Sequence, residues 1–71
     1  MSETLQGNRV REHRRAARLT QSELGAAVGV SRQTIVSMEG GKYSPSVYLA
    51  LRLARHLGVS VETLFAIPEE A

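Results

Sequence analysis

The chain has 71 residues and no cysteine, which predicts one domain near the lower size limit for a self-sufficient core and excludes disulfides and thiolate metal sites. The formal net charge is +2, and five arginines fall between Arg9 and Arg18. No apolar run is long enough to span a bilayer or resembles a secretion signal, so we expect a cytoplasmic protein with no membrane partner.

The first predicted helix carries most of the positive charge. Asn8 is its expected N-cap, and the helix is expected to end near Arg18. Val10, Arg14 and Ala17 fall on one face, with His13 beside them. The remaining arginines either form a solvated face or place one or two guanidinium groups against phosphate.

A second helix is predicted over about 21–28. Thr20 and Glu23 have the spacing of a capping box, in which a hydroxyl and a carboxylate each satisfy an N–H group at the helix start. Gly29 supplies the left-handed conformation that ends a helix. The inward positions of this helix are apolar or small: Leu24, Gly25 and Val28.

A third helix is predicted over about 32–39, with Ser31 as its N-cap and Val30 in the turn before it. Ile35 and Met38 share its inward face. The outer face carries Arg32, Gln33, Val36 and Ser37, with Thr34 alongside. A plain pair of packed helices explains the apolar positions but not the polar ones. Arginine and glutamine read guanine and adenine edges, so the pattern favours a helix-turn-helix whose second helix enters the DNA major groove.

The segment from Thr20 to Lys42 resembles the helix-turn-helix of the Cro and phage-repressor (XRE-type) family of transcription regulators, and the resemblance extends over about 10–65. The matching positions are Gln21, Leu24, Gly25, Val28, Gly29, Val30, Ser31, Ile35, Met38, Glu39 and the Gly41-Lys42 pair. The resemblance implies an all-α, five-helix, lambda-repressor-like DNA-binding domain with the helix-turn-helix at helices 2 and 3, a single domain with an ordered core over about 8–67.

The resemblance also implies a structural ion pair between Arg14 and Glu39; the alternative is that both are exposed charges. Three positions depart from the family pattern. His13 stands where an aliphatic residue is usual, Arg18 where a glycine often closes the first helix, and Gly40 where an asparagine or arginine often lies.

The expected DNA contacts fall into two groups. Arg32, Gln33 and Ser37 are predicted to read base edges, and Val36 to meet a thymine methyl group. Phosphate contacts are expected around the start of the second helix and in the loop 40–45, which paired glycine and proline mark. The predicted phosphate-contacting residues are Gln21, Ser31, Thr34, Lys42, Tyr43 and Ser44.

A fourth helix is predicted from the cap Ser46 to about His56, and a fifth over 61–66 with Ser60 as its cap. The apolar stripe of the fourth helix is expected to be core: Val47, Leu49, Ala50, Leu51, Leu53, Ala54 and Leu57. Leu64, Phe65 and Ile67 are either core residues or an exposed patch through which a second copy pairs.

Together these features predict a sequence-specific, double-stranded DNA-binding regulator, a repressor that acts as a homodimer on a palindromic operator. The alternative is an antitoxin or co-regulator whose main role is to bind a protein partner. No aspartate, cysteine, phosphate-binding glycine loop or nucleophile–base pair supports an enzyme. We expect no cofactor and no small-molecule ligand, and His13 and His56 lack the further ligands that a metal site needs.

Overall fold

The computed structural model describes residues 8–65, which contain five α-helices and no strand. The helices are α1 (Val10–Ala16), α2 (Gln21–Val28), α3 (Arg32–Glu39), α4 (Val47–Leu57) and α5 (Val61–Leu64). The predicted all-α, five-helix fold class is confirmed.

Four of the five helices begin at a side-chain cap. At Ser31, Ser46 and Ser60 the hydroxyl accepts the N–H of the residue three positions later. At Thr20 the capping box is complete: Thr20 Oγ1 accepts the Glu23 N–H at 3.0 Å, and Glu23 Oε1 accepts the Thr20 N–H at 2.8 Å. Each cap satisfies N–H groups that would otherwise lack partners, and it therefore fixes where its helix starts.

The start of α1 differs from the prediction. Arg9, not Asn8, is the N-cap residue, and its own side chain makes no capping hydrogen bond. Asn8 still contributes, because its Oδ1 accepts the Val10 N–H at 3.1 Å. Its Nδ2 donates to the Met38 carbonyl at 2.8 Å, which ties the start of α1 to the last turn of α3.

The end of α1 also differs from the prediction. The helix stops at Ala16, and Ala17 is exposed instead of lying on the inward face. Arg18 has a φ of 61°, in the left-handed region that side chains other than glycine seldom occupy. The chain reverses here, which is why a glycine suits this position.

We expect Arg18→Gly to stabilise the domain. The left-handed conformation costs a residue with a Cβ about 1–2 kcal/mol, and the greater unfolded-state freedom of glycine returns about 0.5–1 kcal/mol of that. The free energy of unfolding should therefore rise by roughly 0.5–1 kcal/mol, seen as a higher urea midpoint with an unchanged slope.

The matched control is Arg15→Gly, within α1, where the backbone is helical and the same change should cost about 1 kcal/mol. Equal losses for both variants would show that the φ of Arg18 stores no strain.

The core lies between α1, the α2–α3 pair, α4 and α5. Its fully buried side chains are Val10, Leu24, Ile35, Met38, Leu53 and Leu64. The short α5 joins α1 through a hydrogen bond from the Arg9 N–H to the Leu64 carbonyl at 2.8 Å. The first and last described helices thus pack on the same core as α2 and α3.

The expectation that the whole apolar stripe of α4 is buried was wrong. Val47 and Leu51 are 71% and 52% exposed, so the buried stripe of α4 is narrower than predicted and consists of Leu49, Ala50, Leu53 and Ala54, with Leu57 partly buried. At 100° per residue, Val47 and Leu51 lie beside this stripe, and none of the helices within residues 8–65 covers them.

Leu64 is 0% exposed, so it belongs to the core and not to a surface patch. Phe65 is half-buried against the same core. Ala66 and Ile67 lie outside the described residues.

Candidate nucleic-acid interface

The crossing of α2 and α3 is fixed by a close backbone approach at Gly25. A Cβ on this residue would lie 2.7 Å from the Val30 carbonyl oxygen and 3.2 Å from that of Ser31. Between the helices Gly29 takes a φ of 83°, and the Val30 N–H donates to the Gly25 carbonyl at 2.9 Å. These contacts hold α3 at one angle to α2, as a helix that inserts into a groove requires.

The outer face of α3 carries the four residues that were predicted to read bases. Ile35 and Met38 point into the core. Arg32 and Gln33 are exposed on the first turn, and Val36 and Ser37 are half-exposed one turn later. Gln33 Nε2 and Ser37 Oγ lie 3.4 Å apart, so these two side chains share one surface.

The residues predicted to contact phosphate lie at three places in the helix-turn-helix: the start of α2, the start of α3 and the loop that follows α3. Lys42, Tyr43 and Ser44 are exposed in the loop that follows α3. The Lys42 N–H donates to the Ser37 carbonyl at 2.8 Å, and Gly41 has a φ of 78°, so the loop folds back on the end of α3.

At the start of α3, the hydroxyls of Ser31 and Thr34 lie 3.0 Å apart, and Ser31 Oγ also accepts the Thr34 N–H. These hydroxyls form the helix cap and remain at the surface. Gln21 lies in the first turn of α2, close to N–H groups that attract an anion.

A buried polar network joins α1, α2 and α3. Arg14 Nε donates to Glu39 Oε2 at 2.6 Å and its Nη2 to Oε1 at 3.2 Å; the two side chains are 10% and 5% exposed. Arg14 Nη1 donates to the Leu19 carbonyl at 2.9 Å, and Gln21 Nε2 donates to Glu39 Oε1 at 3.2 Å. The carboxylate of Glu39 therefore has three donors and holds the end of α3 against both other helices.

The contact between Gln21 and Glu39 was not predicted. It gives Gln21 a fixed amide orientation, with one N–H engaged and the other available. The sequence contained one usable signal: Gln21 and Glu39 are both positions of the family pattern.

Arg52 is a second residue that the sequence analysis missed. Its Nε donates to the Val28 carbonyl at 3.0 Å, so a guanidinium on α4 satisfies the C-terminal end of α2. A cation at this end also interacts favourably with the helix dipole. Arg52 lies 24 positions from Val28, so no local pattern could reveal the contact.

Neither metal binding nor membrane crossing finds support in residues 8–65. This range has no group of three or more His, Cys, Asp or Glu side chains placed to hold a metal ion. None of its helices is long and apolar enough to cross a membrane.

Two helices at a fixed crossing, the second with arginine and glutamine on its free face, define the helix-turn-helix class of DNA-binding proteins. Comparison with known proteins agrees, because the helix-turn-helix family matches residues 10–64. The chain belongs to this family, in its XRE-type form.

Relatives of similar length share much of the sequence. An uncharacterized helix-turn-helix-type transcriptional regulator of Methanothermobacter thermautotrophicus is 52% identical over 62 residues, which are 86% of this chain and 90% of that protein.

Among solved structures, the P22 c2 repressor in complex with a synthetic operator has a TM-score of 0.80 and 31% identity, over 86% of this chain and 92% of that one. The restriction-modification controller protein C.AhdI of Aeromonas hydrophila has a TM-score of 0.78 and 30% identity, over 92% of this chain and 100% of that one.

Proposed function

We propose that this DNA-binding transcription regulator is a cytoplasmic repressor that recognises a palindromic operator as a homodimer. The observation that carries the proposal is the outer face of α3, where Arg32 and Gln33 are exposed at the N-terminal end of a helix that Gly25 and Glu39 hold in place. Side chains at that end of a recognition helix reach base edges in the major groove.

The positions of the residues separate those that would contact phosphates from those that would read bases. Gln21 at one end of the motif and Lys42 at the other would contact phosphates and set the register of the domain on the duplex. Arg32, Gln33 and Ser37 would then select bases by hydrogen bonding, and Val36 would add apolar contact with a thymine methyl group. Repression would follow from occupation of the promoter.

We expect Arg32→Ala to weaken binding to the preferred site by about 1–3 kcal/mol and to relax discrimination at one base position. The side chain is exposed, so the unfolding midpoint should stay the same. Binding of the variant is measured on the preferred duplex and on duplexes with single base changes. An equal loss on every sequence would contradict base reading by Arg32.

Lys42→Ala should have a different signature. It should weaken binding by a similar factor on all sequences, because a phosphate contact carries no direct sequence information. The slope of log affinity against log salt concentration should fall in magnitude by about one. An unchanged slope would remove Lys42 from the phosphate contacts.

The same titrations separate the proposal from the alternative of an antitoxin or co-regulator. A regulator of this kind discriminates its site from random duplex by a large factor. A chain whose main role is to bind another protein would show only weak, sequence-independent and salt-sensitive DNA binding.

A further inference from the structure

The outer side of α4 is an apolar surface that the DNA-binding site does not use. Within residues 8–65, the large hydrophobic side chains that remain exposed are Tyr43, Val47, Tyr48 and Leu51. Three of them lie on α4, where Val47, Leu51 and Arg55 form one row with a spacing of four residues and Tyr48 lies beside that row. We call Val47, Tyr48, Leu51 and Arg55 the α4 outer face.

The size of this surface indicates a weak contact. Tyr48 is 74% and Val47 71% exposed, and together with Leu51 they present about 300–400 Å² of apolar surface. A stable protein interface takes about 800 Å² from each partner. Two copies that buried only this patch would form few dimers in free solution, but would pair when DNA holds both at a high effective concentration.

The sequence of α4 suits pairing with itself. When two antiparallel helices meet across a two-fold axis, residues equally far from the axis in opposite directions face each other. Tyr48 and Arg55 are equally far from the point midway between Leu51 and Arg52. An axis at that point places Leu51 and Arg52 of both copies directly beside it, and it sets Tyr48 of each copy against Arg55 of the other.

The charges on α4 permit this arrangement. A guanidinium stacks favourably on a tyrosine ring, so each Arg55 would meet an aromatic face and not a like charge. Arg52 lies as near to the axis as Leu51, but its Nε donates to the Val28 carbonyl at 3.0 Å, which directs the guanidinium toward α2. The pairing therefore needs no acidic residue on the opposite helix to offset the positive charge of Arg55.

We propose that the α4 outer face is the surface on which a second copy of this chain docks, with the two α4 helices antiparallel, Leu51 at the centre and Tyr48 of one copy against Arg55 of the other. The proposal rests on the proposed function, because DNA is what brings the two copies together. It assigns the pairing to α4, whereas the sequence analysis offered α5 and the residues that follow as the pairing surface, with a core role as the alternative.

The test compares duplexes that contain either one or two copies of the half-site selected from a random pool. Tyr48→Arg sets arginine against Arg55, and Leu51→Ser removes the central apolar contact. Each should lower affinity for the two-site duplex at least tenfold and abolish cooperativity, with affinity for the one-site duplex unchanged within about twofold. Tyr48→Arg combined with Arg55→Tyr exchanges the two partners and should restore cooperative binding.

Ala16→Arg is the matched control, since it adds the same charge at an exposed position of α1. The proposal is overturned if Tyr48→Arg and Leu51→Ser bind as cooperatively as Ala16→Arg, or if the exchanged pair fails to restore cooperativity. Failure of the proposed function looks different, because the unaltered protein would then show no preference for the half-site on either duplex.

Discussion

Glu39→Ala is expected to cost about 3–5 kcal/mol, because it leaves the guanidinium of Arg14 buried with no opposite charge. A domain of this length has about 4–10 kcal/mol of stability in total. The variant should therefore lose a large part of its stability, with a much lower urea midpoint and melting temperature. Urea and thermal unfolding, followed by circular dichroism, measure the effect.

A double variant separates the loss of an ion pair from the exposure of a buried charge. Arg14→Met with Glu39→Leu removes both charges and keeps most of the volume, so it should regain at least half of the stability that Glu39→Ala loses. Glu12→Ala, on the exposed part of α1, is the control for removing a carboxylate and should change stability by less than about 0.5 kcal/mol. A cost below about 1 kcal/mol for Glu39→Ala would mean that the pair behaves as a surface contact.

Gly25→Val is expected to have the second-largest effect, about 2–3 kcal/mol of destabilisation. Even a Cβ would lie 2.7 Å from the Val30 carbonyl oxygen, and backbone atoms of the turn cannot rotate away as a side-chain tip can. The two γ-methyl groups would force α2 and α3 apart. The fraction that stays folded should also bind DNA poorly, because the angle of α3 has changed.

Ala26→Val is the matched control, one position further along α2 and exposed. The change from alanine to valine costs roughly 0.5 kcal/mol in helix propensity, and at this exposed position the new side chain does not meet the backbone of the turn. Similar stability and DNA affinity for the two valine variants would contradict the tight crossing at Gly25.

The sequence predicts the helix-turn-helix well because its signals are local. The capping box of Thr20 and Glu23, the cap at Ser31 and the left-handed Gly29 each act within four residues of the feature they define. The apolar spacing of Ile35 and Met38 then identifies the inward face of α3, and the residues left over form its outer face.

The errors concern contacts between distant parts of the chain. The exposure of Val47 and Leu51, and the burial of Leu64 that the sequence left open, depend on how α4 and α5 pack against the other helices. Periodicity gives the width of an apolar stripe, but not how much of it the neighbouring helices cover. The Gln21 contact with Glu39 likewise depends on the crossing of α2 and α3, so neither helix alone predicts it.

The position of Arg18 shows a different limit. Family resemblance indicates that glycine is usual there, and the structure gives the reason, a φ of 61°. The residue itself carries no signal of a left-handed conformation, since arginine is a good helix former and extends the predicted helix past its real end at Ala16.

The central claim is that the outer face of α3 selects a DNA sequence, and affinity selection from a pool of random-sequence duplexes tests it most directly. The unaltered protein should enrich a palindrome whose half-sites lie about one helical turn apart, and Gln33→Ala should enrich the same palindrome with one base position relaxed. The claim would be contradicted if the unaltered protein enriched no sequence. It would also be contradicted if Gln33→Ala and Arg32→Ala both enriched the same motif as the unaltered protein.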